Sequence, residues 1–173
     1  MKHKNPITMD AVFEVGMDRA VIPFLPPPDG PQLNLGAGAK SIEDTIALDA
    51  STGWRAPILP FRSRSIAAIH AYHFLEHLAK DELLELLMEC QRVLKTNGIM
   101  NIVVPHWSAE CAYQDLDHKS FWSESTFTNL MSNPYYDGTM PREWTIRARS
   151  VMLMGVVQRN LVVVAQLVQE ATS

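Results

Sequence analysis

The chain has 173 residues, 47% apolar and 20% charged, which is enough to bury one hydrophobic core and too few for two full domains. Its formal charge of -4 at pH 7 gives no strong positive field, so unassisted, non-specific binding to nucleic acid is disfavoured. No apolar run approaches the roughly 20 residues that span a bilayer, and we expect a cytoplasmic protein, either a monomer or a homo-oligomer.

Residues 1–32 form a predicted N-terminal arm. Six prolines interrupt this stretch and confine any helix in it to residues 9–21. The remaining residues, 33–173, are predicted to form a single α/β domain.

The first elements of that domain are short parallel strands. An apolar strand from residue 32 runs into the turn Gly36-Ala37-Gly38, and a second strand, 46–48, ends at Asp49. After a brief apolar piece at 58–61, residues 65–72 carry little charge, as a buried parallel strand requires.

The clearest helix follows that strand. It starts at Asp81 as its cap, and Asn97-Gly98 supplies its stop. Its buried face is predicted from apolar residues at helical spacing, namely Leu83, Leu86, Leu87, Cys90 and Leu94. A strand at 99–104 comes next, so strand, helix and strand form a right-handed parallel crossover unit.

The last part of the chain contains an insertion and a hairpin. Residues 105–144 are rich in loops, with a helix at 124–131, and a long insertion beside the carboxyl ends of strands usually carries substrate contacts. Residues 145–157 and 161–168 are two β-rich runs around a turn at 158–160. They are predicted to close the sheet as an antiparallel hairpin.

The glycine turn and Asp49 together suggest a nucleoside-containing ligand. Glycines let the backbone pass close to a ligand, and an acid at the end of the next strand can accept hydrogen bonds from a ribose diol. A nicotinamide-binding turn would need a third glycine, where this chain has Ser41, and an acid further along than Asp49.

Five motifs in this order carry a family resemblance: LNLGAG, IALDA, LPF, AYHFLEHL and RVLKTNGIMNIVVP. Over residues 33–127 the chain resembles the small class I S-adenosylmethionine-dependent methyltransferases of the type 11 group. The resemblance implies an α/β fold with a Rossmann-like, doubly wound and mostly parallel sheet. Its strand order would be 3-2-1-4-5-7-6, with an antiparallel C-terminal hairpin.

The resemblance also implies S-adenosylmethionine as the cofactor and S-adenosylhomocysteine as its product, while the methyl acceptor stays unidentified. The glycine turn would hold the methionyl end, Asp49 the ribose hydroxyls, and the end of the fourth strand would lie near the sulfonium. The implied cofactor-binding residues are Leu35, Gly36, Ala37, Gly38, Asp49, Ala71, Tyr72 and His73.

The chain departs from the family pattern before the LPF motif. The family often has an acid there that binds the adenine amino group, whereas residues 55–60 contain no carboxylate. Two alternatives to a methyltransferase therefore stay open. One is a non-catalytic, methyltransferase-like module that binds a partner, and the other is an enzyme of the same fold that breaks down the cofactor.

The candidate catalytic residues are His118 and His77. An imidazole titrates near neutral pH, so His118 in the insertion could act as a general base, or it could only anchor the loop. His73, Glu76 and His77 would share one helical face, which resembles the metal-binding E-x-x-E-H of some ubiquinone-biosynthesis O-methyltransferases. We favour the interpretation that Leu75-Glu76-His77 holds neighbouring loops, and we predict no metal site.

Overall fold

The computed structural model describes residues 26–38, 42–132, 144–153 and 161–169. The predicted helix at 9–21, most of the predicted arm and the hairpin turn at 158–160 lie outside these residues. No helix in the described part of the chain has the length and apolar character needed to cross a membrane.

The centre of the fold is one six-stranded sheet in the order β2-β1-β3-β4-β6-β5. Neighbouring strands from β2 to β4 pair in parallel, whereas β6 is antiparallel to both β4 and β5. The predicted mostly parallel, Rossmann-like sheet with an antiparallel C-terminal pair is thereby confirmed. The strands are β1 (Gln32–Leu35), β2 (Thr45–Leu48), β3 (Ile66–Tyr72), β4 (Leu94–Pro105), β5 (Trp144–Leu153) and β6 (Leu161–Gln169).

The predicted order counted a further strand at the edge beside β2, and the structure differs there. Between β2 and β3, where every residue is described, no third strand forms. The Leu59 N–H instead donates to the Glu89 carboxylate at 2.9 Å. Arg92 donates to the carbonyl oxygens of Leu59 and Phe61 at 2.9 and 2.8 Å. Side chains of a helix thus satisfy backbone groups that a sheet neighbour would otherwise bind.

Two described helices pack on one face of the sheet. They are α1 (Lys80–Val93) and α2 (Glu124–Ser132). Both contribute to an apolar pocket against β4 and β6, which is lined by Leu87, Ile102, Trp122, Phe127, Leu130, Trp144 and Leu167. The core therefore lies between this helical layer and the sheet, as the leucine spacing of α1 predicts.

The ends of α1 correct two details of the prediction. The cap residue is Ala79, whose N–H donates to the Glu82 side chain at 3.0 Å, and Asp81 lies inside the first turn. The helix ends at Val93 rather than at Asn97-Gly98, because Leu94 already pairs with Ile66 as part of β4. Leu94 is still buried, but as a strand residue.

A polar network crosses the opposite face of the sheet. His70 of β3 is at its centre, with Nε2 3.0 Å from Gln32 Oε1 and Nδ1 3.1 Å from the Tyr72 hydroxyl. Asn101 Nδ2 lies 3.3 Å from His70 Nδ1, and Gln166 Nε2 donates to Asn101 Oδ1 at 2.9 Å. These partners suit a neutral imidazole that donates from Nε2 and accepts at Nδ1.

Burial lowers the pKa of His70 to about 4, from an ordinary value of 6.5. The unfolded chain therefore takes up a proton at His70 between these pH values while the folded chain does not, so acid favours unfolding. We expect His70 to lower the free energy of unfolding by up to about 3 kcal/mol as the pH falls from 6.5 to 4.

Denaturant unfolding between pH 7 and pH 4 measures this effect as the difference between the wild type and His70→Gln. The variant should be less stable at neutral pH and should lose less stability in acid. His106→Gln, which changes a less buried histidine, serves as the matched control and should follow the wild type. Equal acid dependence of the wild type and His70→Gln would contradict the assignment.

Candidate functional site

The glycine turn lies at the carboxyl end of β1 and is fastened to the end of β2. Gly36 has a φ of 64° and donates its N–H to the Leu48 carbonyl at 2.8 Å. Gly38 has a φ of 51° and donates its N–H to Asp49 Oδ2 at 3.2 Å. The predicted turn and the predicted acid are therefore in direct contact.

Asp49 is held in one orientation by backbone donors. Its Oδ1 accepts the Ser51 N–H at 2.8 Å and caps the short 3-10 helix Ala50–Thr52. The hydrogen bonds from Ser51, and then the one from Gly38, lower the pKa of Asp49 below its ordinary value, so the carboxylate stays ionised at neutral pH. A carboxylate has about four lone-pair sites, so further donors such as hydroxyl groups can still bind.

The two glycines of the turn have different surroundings. A Cβ on Gly36 would overlap the Phe74 ring, whereas a Cβ on Gly38 would meet no atom of the described residues within 4 Å. Among the described residues, open space thus lies beside Gly38, whereas a side chain packs directly on Gly36. Phe74 is a neighbour of the turn that the sequence analysis missed. Its position directly after His73 was the available signal.

The three predicted residues at the end of β3 occupy different environments. Ala71 is fully buried and is in register with Leu35, immediately before the turn. The hydroxyl of Tyr72 joins the polar network through His70. His73 has a φ of 53°, a conformation that is uncommon outside glycine and is enriched at functional sites.

Apolar groups lie around residues 54–60, where the family resemblance leads us to expect an adenine-binding acid. The Trp54 ring lies 6.0 Å from the Phe74 ring, centroid to centroid, and its indole N–H donates to the Ile58 carbonyl at 2.6 Å. Ile58 itself is 64% exposed. These side chains offer a surface for stacking rather than a carboxylate.

A second cluster forms where the insertion meets the 3-10 helix Leu75–His77. The N–H groups of Lys119 and Ser120 both donate to the Glu76 carbonyl, at 2.7 and 3.2 Å. These bonds bring His118 towards His77, with ring centroids 4.7 Å apart. The two predicted catalytic histidines are therefore neighbours, although 41 positions separate them in the sequence.

The Glu76 carboxylate lies close to His73 and to His118. Its Oε1 is 3.4 Å from His73 Nδ1 and 4.0 Å from His118 Nε2. One ligand atom from each of Glu76, His77 and His118 lies within 4.8 Å of the other two, which is a grouping that can hold a metal ion.

The insertion also exposes large apolar side chains next to this cluster. A bridge between His106 and Trp122 closes residues 106–122 of the insertion into a loop. The rings of Tyr113 and Phe121 stack at 4.8 Å. The exposed fractions range from 50% to 96% for Trp107, Tyr113, Leu116 and Phe121.

Residues 39–102 match a family model described as a methyltransferase domain. No curated protein matches the sequence of the chain. Among solved structures, the chain is similar to an S-adenosylmethionine-dependent methyltransferase from Methanosarcina mazei, with a TM-score of 0.62 and 14% identity over 83% of this chain and 94% of that one.

Two further structures have the same fold. One is the 1,6-didemethyltoxoflavin-N1-methyltransferase of Burkholderia thailandensis with bound S-adenosylhomocysteine, at a TM-score of 0.57 and 13% identity over 82% of this chain and 72% of that one. The other is an S-adenosylmethionine-dependent methyltransferase from Archaeoglobus fulgidus, at 0.53 and 14% over 81% and 86%. At such low identity these likenesses concern the fold, and together with the matched domain they confirm the resemblance predicted from the sequence.

The different surroundings of the two glycines predict different effects of the same substitution. Gly38→Ala adds only the strain of a left-handed backbone, about 1–2 kcal/mol. Gly36→Ala adds the contact with Phe74 to that strain, and we expect a total loss of about 2–5 kcal/mol in the free energy of unfolding.

Chemical denaturation of both single variants and of Gly36→Ala combined with Phe74→Ala tests this prediction. The double variant should lose less than the sum of its two single variants, because the smaller side chain removes the clash. Equal losses for Gly36→Ala and Gly38→Ala would contradict the packing of Phe74 on the turn.

Proposed function

We propose that this chain, which carries a methyltransferase domain of the class I S-adenosylmethionine-dependent type, transfers a methyl group from S-adenosylmethionine to an acceptor held by its insertion. The observation that carries the proposal is the joining of the Gly38 N–H to the Asp49 carboxylate. This contact couples the glycine turn to an ionised acceptor of hydrogen bonds, and open space among the described residues adjoins the turn at Gly38.

The residues of this edge fit the cofactor that the fold implies. Gly36, Ala37 and Gly38 would let the methionyl end approach the backbone, with Leu35 as the last strand residue before them. Asp49 would accept the ribose hydroxyls, for which its orientation is already set by Ser51. We assign Ala71, Tyr72 and His73 to the wall of the same site. Adenine would stack near Trp54 and Ile58, which would hold it instead of the missing acid.

S-adenosylmethionine supplies an electrophilic methyl group on a sulfonium, so the protein's task is to align an acceptor and remove its proton where it has one. His118 suits the second task. Its Nδ1 lies 3.0 Å from the Ala112 carbonyl and donates to it, which leaves the Nε2 lone pair free to accept a proton. His77 lies against the His118 ring and would keep it in place.

We propose that residues 1–32 are an arm added to the methyltransferase domain of residues 33–173, and that the protein acts in the cytoplasm. The exposed aromatic surface of the insertion favours an acceptor with an apolar or ring-containing part, because such groups gain most from contact with aromatic side chains.

One observation favours the alternative of a non-catalytic module. The Phe74 ring packs so closely on Gly36 that it accounts for that glycine without any ligand. A chain that had lost its cofactor could keep Gly36 for this reason alone, and it would then act by binding a partner.

Calorimetric titration with S-adenosylmethionine and S-adenosylhomocysteine separates these functions. We expect micromolar binding by the wild type, weakened about 10- to 100-fold in Asp49→Asn, since hydrogen bonds to a charged group contribute about 1.5–3 kcal/mol. Gly38→Asn should also weaken binding, because asparagine tolerates the left-handed backbone while its side chain fills the open space. Asp29→Asn, a change at an exposed acid before β1, is the matched control.

Other results of the titration would favour a different function or a different binding site. Absence of heat and of a thermal shift in the wild type would overturn the proposal and leave the non-catalytic module. Binding that is equal in all variants would place the ligand elsewhere. Consumption of S-adenosylmethionine without an acceptor would instead favour an enzyme that breaks down the cofactor.

A further inference from the structure

Against the sequence-based prediction of no metal site, we propose that Glu76, His77 and His118 form a binding site for one divalent transition-metal ion of the Zn²⁺ type. This cluster is separate from the contact between the glycine turn and Asp49. It forms where the insertion meets the 3-10 helix Leu75–His77.

Glu76 is a buried acid without a hydrogen-bond partner for its carboxylate. The side chain is 1% exposed, and neither of its oxygens accepts a hydrogen bond from the residues that the structure describes. Burying a charged group is very unfavourable unless it is paired or coordinates a metal, and nearly all buried polar groups in proteins are satisfied. His73 Nδ1 lies 3.4 Å from Oε1, and this imidazole pairs with the carboxylate only when it is protonated. A cation bound at the carboxylate would supply the missing partner in either state.

The His118 ring is oriented as a metal ligand usually is. Nδ1 donates to the Ala112 carbonyl at 3.0 Å, so the hydrogen is on Nδ1 and Nε2 carries a lone pair. Metal-binding histidines almost always hold their other ring nitrogen in this way. Nε2 lies 4.0 Å from Glu76 Oε1, which is too long for a hydrogen bond, and in this tautomer both atoms are acceptors.

His77 completes a set of three ligands. The ligand atoms of the three residues lie within 4.8 Å of one another. Ligands about 2.0–2.1 Å from a tetrahedral Zn²⁺ are about 3.4 Å apart, so side-chain shifts on the order of 1 Å would close the site. The backbone need not move, because the N–H groups of Lys119 and Ser120 already bind the Glu76 carbonyl.

The donor set decides the kind of ion. Two imidazoles and one carboxylate suit Zn²⁺ and related transition metals, whereas Mg²⁺ and Ca²⁺ prefer oxygen ligands only. Three protein ligands also leave a fourth position open. If the proposed methyl transfer holds, an acceptor hydroxyl or thiol bound at that position would lose its proton more readily, a task otherwise assigned to His118. Ion binding itself does not rest on that function.

The test uses the full chain, free of any tag and stripped with a chelator. Zn²⁺ is titrated in competition with a chromophoric chelator, and Co²⁺ is added separately to record its ligand-field spectrum. We expect one equivalent of Zn²⁺ per chain and a tetrahedral Co²⁺ spectrum. His77→Ala, His118→Ala and Glu76→Gln should each weaken Zn²⁺ binding at least about 100-fold. A residue that only orients a metal ligand typically costs about 10- to 100-fold when it is changed.

His106→Ala is the control, because His106 belongs to the same insertion but binds Ser108 instead of the cluster. It should retain one equivalent. Thermal unfolding supplies an independent measurement that does not need the affinity assay. Zn²⁺ should raise the Tm of the wild type and not that of Glu76→Gln, while without metal Glu76→Gln should be at least as stable as the wild type.

Less than half an equivalent in the wild type, or wild-type affinity in both His77→Ala and His118→Ala, would overturn the proposal. The experiment is independent of the cofactor titration. Zn²⁺ binding is measured without S-adenosylmethionine, and S-adenosylmethionine binding is measured with the chelator present, so one proposal can fail while the other stands.

Discussion

Parallel pairing of β1 with both β2 and β3 is the constraint on which the rest of the structure depends. Because parallel strands end at the same edge of a sheet, the segments that follow them must meet there. The glycine turn follows β1, Asp49 follows β2, and the 3-10 helix with Glu76 and His77 follows β3. The insertion that follows β4 reaches the same edge and adds His118. The candidate site is therefore assembled by topology from residues that are far apart in sequence.

The two parts of this edge are built by different interactions. Backbone donors orient the Asp49 carboxylate, and they leave lone pairs for further partners. Around Glu76, main-chain bonds hold the loop in place while the carboxylate itself receives no donor from the described residues. The first arrangement suits the hydroxyl groups of a ligand, and the second suits a cation. A site with both would separate cofactor binding from activation of an acceptor.

The sequence predicted most of the sheet because its inner strands are continuous apolar runs, and it predicted α1 because leucines recur at helical spacing. It could not show that Leu59 and Phe61 would be bound by side chains of α1 rather than by a strand, since that depends on where Arg92 points. It indicated both His77 and His118 as candidate catalytic residues, but it did not predict that their rings would be in contact. The packing of Phe74 on Gly36 and the isolation of the Glu76 carboxylate required the three-dimensional structure.

The polar network on the second face of the sheet has a consequence for strand alignment. Gln32, His70, Asn101 and Gln166 belong to four different strands, and each reaches its partner only in the observed register. A slip of one residue would turn such a side chain to the opposite face, among the leucines of the helical layer, without its partners. Misaligned arrangements of the sheet are thereby penalised. The network replaces apolar contacts at the centre of the fold with hydrogen bonds. These hydrogen bonds favour one register of the four strands over the alternative registers.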